Sequence, residues 1–174
     1  MDMLTHSTIR PATRVDAPAI HDLHTASVTR VCTTHYTPEQ VRAWLANRTP
    51  EGYYEGIDRC EMFVCETGGV VVGFGHALPG EVVALYVHAD WVRYGVGAAL
   101  LSHGLQMARR GHAGPIRVVA TLNAQSFYEK HGFREVRRSA VPRNGVEIPV
   151  VEMELAVGST RFGVSSSKGR EMPP

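Results

Sequence analysis

No stretch of this 174-residue chain approaches about eighteen uninterrupted apolar residues, and its opening segment, "MDMLTHST", has no basic region ahead of an apolar run. Neither a membrane span nor a secretory leader is expected, and a cytoplasmic location follows. Cysteine is scarce. Cys32, Cys60 and Cys65 are odd in number and form no CxxC pair, which excludes a disulfide framework and zinc-finger spacing and leaves reduced thiols. His21 and His24 stand three residues apart, yet no third ligand accompanies them, so no metal is expected. No repeat is visible. The basic segments lack interleaved aromatics and no helix-turn-helix signal appears, which argues against a nucleic-acid partner.

What is present suits one globular domain. With 44% hydrophobic and 20% charged residues, the chain can bury one substantial core and is too short for two. That domain is expected over residues 1–157. The remainder, "GSTRFGVSSSKGREMPP" (158–174), is poor in large apolar residues and rich in Ser and Gly, which predicts a disordered tail. The net charge of +1 hides an asymmetry: residues 1–90 hold six basic against eleven acidic side chains, and residues 91–143 hold nine against two. The first half should attract cations and the second anions, unless both sets are dispersed over solvated surface.

The patterning describes an α+β domain. "TIRP" reads as a short strand, and Asp16 before Ala17 and Pro18 suits the N-cap of a helix running to about Thr33. Thr37 and Gln40 have capping-box spacing, with Pro38 in the first turn and Val41, Trp44 and Leu45 on one apolar face. "TPEGYYEGIDR" reads as loop or a broken turn. "EMFVCE", "VVVGFGHAL" and "EVVALYV" form an antiparallel meander. A helix with Leu101, Leu105 and Ala108 on one face follows, then the strand "IRVVA", a short helix "AQSFYEKHG" with Asn123 at its N-cap, and two closing strands, "FREVRRSAV" and "EIPVVEMEL".

Between the third meander strand and the next helix lies "HADWVRYGVGAALL", with Gly95 and Gly97 at the turn. A strand-to-helix loop leaves main-chain N–H groups unpaired, and small residues let an anion approach them, so a diphosphate is the natural guest. A Walker A loop would need Gly-Lys-Ser/Thr, which is missing, and the third glycine of a dinucleotide fingerprint is replaced by Leu100. A second element, "ATLNAQSFYEKHGF", follows about thirty residues on, a strand entering a short helix with Asn123, Phe127 and Tyr128.

"LYVHADWVRYGVGAALL" and "LNAQSFYEKHGF" together resemble the two signature segments of the GNAT superfamily of N-acetyltransferases, and the element order resembles it over residues 8–156. "YTPEQVRAWL" and "NGVEIPVVEMEL" are similar to a bacterial subgroup of generic members without an assigned acceptor. The chain departs from the family at Val92, where Gln or Arg is usual, and at Arg93, where Gly is common. Binding through main-chain N–H groups would be unaffected by either.

The resemblance implies a mixed, twisted sheet of about six to seven strands flanked by about four helices and splayed between strands 4 and 5. It implies acetyl-CoA as co-substrate and no metal. Pantetheine would pair along Leu85, Tyr86 and Val87. The diphosphate would rest on the loop of Arg93, Tyr94, Gly95, Val96, Gly97, Ala98 and Ala99, with Asn123, Ser126, Phe127 and Tyr128 completing the cofactor side. Tyr128 matches the family's general acid, its alternative being an aromatic packed between helix and sheet. Glu81 falls where some members place a general base, with His76 or a water chain as substitutes. A main-chain N–H at Leu85 or Tyr86 would hold the developing oxyanion. Tyr36, Trp44, Tyr53 and Tyr54 are candidates for the acceptor pocket, with core or surface packing as the alternative for each.

The expected activity is acetyl transfer to a primary amine of a small molecule or peptide, in a ternary complex; the acidic first half tilts toward a cationic acceptor. The alternative is a CoA-binding regulatory module without turnover. A homodimer is left open.

Overall fold

The computed structural model describes residues 7–158, so the expected tail lies, beyond Gly158, outside the described residues. Within them the chain runs β1 (Ser7–Pro11), α1 (Ala17–Val31), α2 (Pro38–Leu45), α3 (Tyr54–Asp58), β2 (Met62–Thr67), β3 (Val70–Leu78), β4 (Glu81–Val87), α4 (Val96–Ala108), β5 (Ile116–Thr121), α5 (Gln125–Lys130), β6 (Arg134–Arg143) and β7 (Val146–Leu155). Seven strands form one sheet in the order β1-β2-β3-β4-β5-β7-β6. Every neighbouring pair is antiparallel except β4 and β5. The mixed sheet of the expected class is thus present, with five helices where about four were expected; the addition is α3, one turn within the segment read as loop.

Period-2 alternation divides the core between the two faces. Val64 and Phe74 pack with Ile20 and Leu23 of α1, whereas Phe63 and Cys65 pack with Val96 and Leu100 of α4. Farther along, Ile116, Val118 and Ala120 join Leu101, Leu105 and Tyr128 beneath α4 and α5. Val28, Cys32, Tyr36, Val41 and Trp44 meet Ile148 on the opposite face. Among the described residues no helix is long and apolar enough to cross a membrane.

The capping box predicted at α2 is formed, with Gln40 N–H donating to Thr37 Oγ1 (3.2 Å) and Thr37 N–H to Gln40 Oε1 (3.0 Å). Asp16 precedes α1 as expected but does not cap it through its side chain. Its carboxylate instead accepts from both terminal nitrogens of Arg10 (2.9 and 2.8 Å) and from the N–H of Thr13 (2.8 Å). These bonds, Arg10 foremost, hold the Asp16 carboxyl down to about 2. A two-pronged guanidinium partner outcompetes the helix terminus for the same oxygens.

Glycine in β3 makes room for the Phe63 ring on the sheet. A methyl group on Gly75 would overlap the Phe63 ring and come within 2.9 Å of Leu85 Cδ2. Gly75→Ala is therefore expected to cost about 1–3 kcal/mol, measured as a lowered urea midpoint, whereas Gly52→Ala, which meets nothing within 4 Å, should leave the midpoint nearly unchanged.

Candidate active site

β4 and β5 are paired at only two positions, Glu81 with Arg117 and Val82 with Val118. The cause lies on the other side of β4. His76 faces Ala84 but Ala77 faces Val82, so Val83 is an extra residue, a bulge that bends β4 where its pairing with β5 stops. From Val83 onward the strands diverge, and Leu85, Tyr86 and Val87 border the opening. The expected splay is present, and main-chain groups along it are available to a ligand.

β4 leads into the glycine loop at one end of this opening. A single 3-10 turn, Ala89–Trp91, is stabilised by Asp90 N–H donating to His88 Nδ1 and is tied to α1 by Arg30 and Asp90 (2.8 Å). Arg93 has φ +73° and Gly95 φ +82°. Left-handed conformation at a non-glycine residue is strained, and here it falls at the turn into α4. Among the described residues the N–H groups of Val92 through Ala98 donate to no main-chain carbonyl, and the first bond of α4 is Ala99 N–H to Gly95 C=O (3.0 Å). The N–H of Ala99 is thus spent inside the helix, unlike those of the residues before it.

α5 closes the other flank. A methyl group on Gly97 would lie 3.4 Å from the Phe127 ring, so the two signature segments touch. Asn123 is not the N-cap of α5, a position held by Ala124; it lies inside the preceding 3-10 turn. The extra turn moves the helix start past it and leaves its Oδ1 buried without a hydrogen-bond partner. The turn is braced by Tyr36, whose hydroxyl donates to Pro149 C=O (2.8 Å) and accepts from Leu122 N–H (2.9 Å). Ser126 is exposed on α5. Tyr128 is buried among Val82, Leu101 and Val151, with the Phe133 ring centred 5.4 Å away, and burial pushes its phenol up. Among the described residues its hydroxyl has no hydrogen-bond partner.

Glu81 and His76 are brought together on the opposite face, where they line a cavity of about 440 Å³. The His76 ring is held by Glu61, Nε2 to Oε2 at 3.1 Å, a partner that sequence reasoning missed. Trp44 and Tyr53 also line this cavity, whereas Tyr36 serves as the brace just described and Tyr54 packs beneath the Arg14 guanidinium. Tyr128 does not line it, so candidate acid and candidate base approach the opening from different faces. A larger groove of about 1170 Å³ between α4 and α5 takes in, of the expected site residues, only Ala98.

Three further cavity residues went unread as a group: His24, Arg48 and Arg143. His21 and His24 do not converge as ligands, because His21 Nε2 meets Arg48 C=O (3.2 Å) while His24 Nδ1 accepts from Arg48 Nη1 (2.9 Å). Burial, aided by the charge of Arg48, pushes the His24 imidazole down to about 3 from 6.5.

A match to the model of the acetyltransferase (GNAT) domain extends over residues 32–157. The chain belongs to the GNAT family. This GNAT chain is 27% identical over 119 residues to the uncharacterized N-acetyltransferase YafP of Escherichia coli, covering 68% of the present chain and 75% of that protein. A GCN5-related N-acetyltransferase from Rhodopseudomonas palustris superposes with a TM-score of 0.76 at 25% identity, over 90% of this chain and 99% of that one. The PaiA N-acetyltransferase of Thermoplasma acidophilum, solved with coenzyme A, superposes with a TM-score of 0.70 at 17% identity, over 87% and 99% of the two chains.

The buried neutral imidazole gives this GNAT chain an acid-sensitive core. Below pH 6.5 the unfolded chain takes up a proton that folded His24 refuses until about pH 3, so stability falls as pH drops through that interval. The fall in urea midpoint between about pH 7.5 and about pH 4.5 should be smaller in His24→Gln than in the natural protein.

Proposed function

We propose that this GNAT chain transfers an acetyl group from acetyl-CoA to a primary amine of a small molecule or peptide, by direct attack within a ternary complex. One observation carries the reading: a single opening between β4 and β5 has an unpaired N–H cradle and a buried phenol on one side and a cavity with Glu81 and His76 on the other. The residues fit the co-substrate. N–H groups of Arg93 to Ala98 suit a diphosphate at the start of α4, and the orphaned Asn123 Oδ1 is an acceptor suited to a pantetheine amide N–H. That the Thermoplasma PaiA N-acetyltransferase was solved with coenzyme A supports the choice of co-substrate.

Acetyl-CoA supplies an activated thioester; transfer forms a C–N bond, breaks a C–S bond, and moves one proton from the amine and one to the thiolate. Glu81, or His76 held by Glu61, takes the amine proton from the cavity side. A main-chain N–H at Leu85 or Tyr86 steadies the carbonyl oxygen as it gains charge. The Tyr128 phenol, raised by burial, keeps its proton at neutral pH and so has one to give to sulfur.

In Tyr128→Phe, coenzyme A affinity by calorimetry should be unchanged while kcat falls about 10²–10⁴-fold; an unchanged kcat would remove Tyr128 from the acid role. A regulatory CoA-binding module would release no thiol with any amine even in the natural protein. Gly95→Ala, which forces a β-carbon into φ +82°, should instead weaken coenzyme A binding, by roughly tenfold for a strain of about 1–2 kcal/mol.

A further inference from the structure

On this acetyltransferase reading, we propose that the acceptor is an amine that also carries an oxyanion, read by Arg48, Arg143 and the Nε2–H of His24. Arg48 is half-buried and already aimed: its Nε donates to Trp44 C=O (3.1 Å), and its Nη1 donates to His24 Nδ1 (2.9 Å) and to the Tyr53 hydroxyl (3.2 Å). No carboxylate meets it among the described residues. Arg10, Arg14 and Arg30 elsewhere in the same half of the chain all have one.

His24 supplies the second observation. Arginine only donates, so the bond from Arg48 makes Nδ1 the acceptor, and the proton of the neutral ring sits on Nε2. That Nε2–H is buried, has no partner among the described residues, and belongs to a ring that is 4% exposed and lines the cavity. A buried donor beside an uncompensated guanidinium is complementary to an oxyanion.

Arg143 comes from the far wall. Asn144 next to it donates to Ala43 C=O (2.8 Å) and accepts from Asn47 Nδ2 (3.0 Å), fastening the β6–β7 turn to the end of α2 and holding Arg143 at the cavity. Its own recorded hydrogen bond goes to Pro142 C=O.

The acid lies at the other pole. Glu81, which alone among the lining residues is acidic, begins β4, whereas the His24 ring stacks 4.0 Å from Tyr86, five residues on. At about 3.3 Å per residue those positions are roughly 16 Å apart along the strand. Met62, Phe74 and Ile148 make the wall between them apolar. A zwitterion with an apolar body and its amine many bonds from its oxyanion, as in a peptide of three or four residues, matches a cavity of about 440 Å³ polarised in this way.

The test compares peptides of three or four residues with apolar side chains against their C-terminal amides, decarboxylated amines and C-terminal aminophosphonate analogues, by release of CoA thiol from acetyl-CoA. The carboxylates or phosphonates should exceed their counterparts lacking the oxyanion at least tenfold in kcat/KM, and whichever of the two leads identifies the oxyanion. In Arg143→Gln, at the surface, and Arg48→Gln, that ratio should drop toward one, mostly through KM. In titrations of the CoA-loaded protein with the N-acetylated peptides, the same variants should bind them at least tenfold more weakly. Amines lacking an oxyanion used equally well or better would overturn the oxyanion proposal and leave the acetyltransferase reading standing. Thiol release from no amine, with coenzyme A still bound, would overturn both.

Discussion

The site depends on the failure of β4 and β5 to stay paired. Two residue pairs hold them, and the bulge at Val83 bends β4 away. Had they remained in register, the central sheet would be continuous, and neither face would reach the other. The divergence leaves main-chain groups unpaired, a cost that a packed fold tolerates only where compensation is near. Here it comes from the apolar wedge of Leu85, Leu122, Phe127 and Tyr128 beneath α4 and α5.

Each face then does separate work. The α4 face carries the cradle, where left-handed turns at Arg93 and Gly95 precede the helix and N–H groups stay without main-chain partners. The α1 face carries the cavity. Its polarity does not follow from the acidic balance of residues 1–90, because Asp16, Asp58 and Asp90 are consumed by Arg10, Arg14 and Arg30. Charges that neutralise one another at short range contribute little field at a distance. What remains at the cavity is Glu81 at one pole and two arginines at the other.

Much of the fold was legible locally. Thr37, Pro38 and Gln40 announce α2 because capping is decided within four residues, and the meander strands are marked by β-branched runs between Gly and Pro turns. Errors fell where a distant group competes with a local one. Asp16 looks like a cap until Arg10 is brought alongside it, and Asn123 looks like one until the 3-10 turn held by Tyr36 shifts the start of α5. The single turn of α3 carries too few residues for an apolar period to show.

From sequence alone came the order of the elements, the glycine loop, the second segment with Asn123 and Tyr128, and through them the family, since each of these is written in consecutive residues. Tertiary structure decided which N–H groups stay free, that Tyr128 and Glu81 reach one opening from opposite faces, and that His24, Arg48 and Arg143 share a wall. Those three residues belong to α1, the link after α2, and β6. No spacing rule connects positions so far apart along the chain; only the packing of helices and hairpin over a parted sheet makes them neighbours.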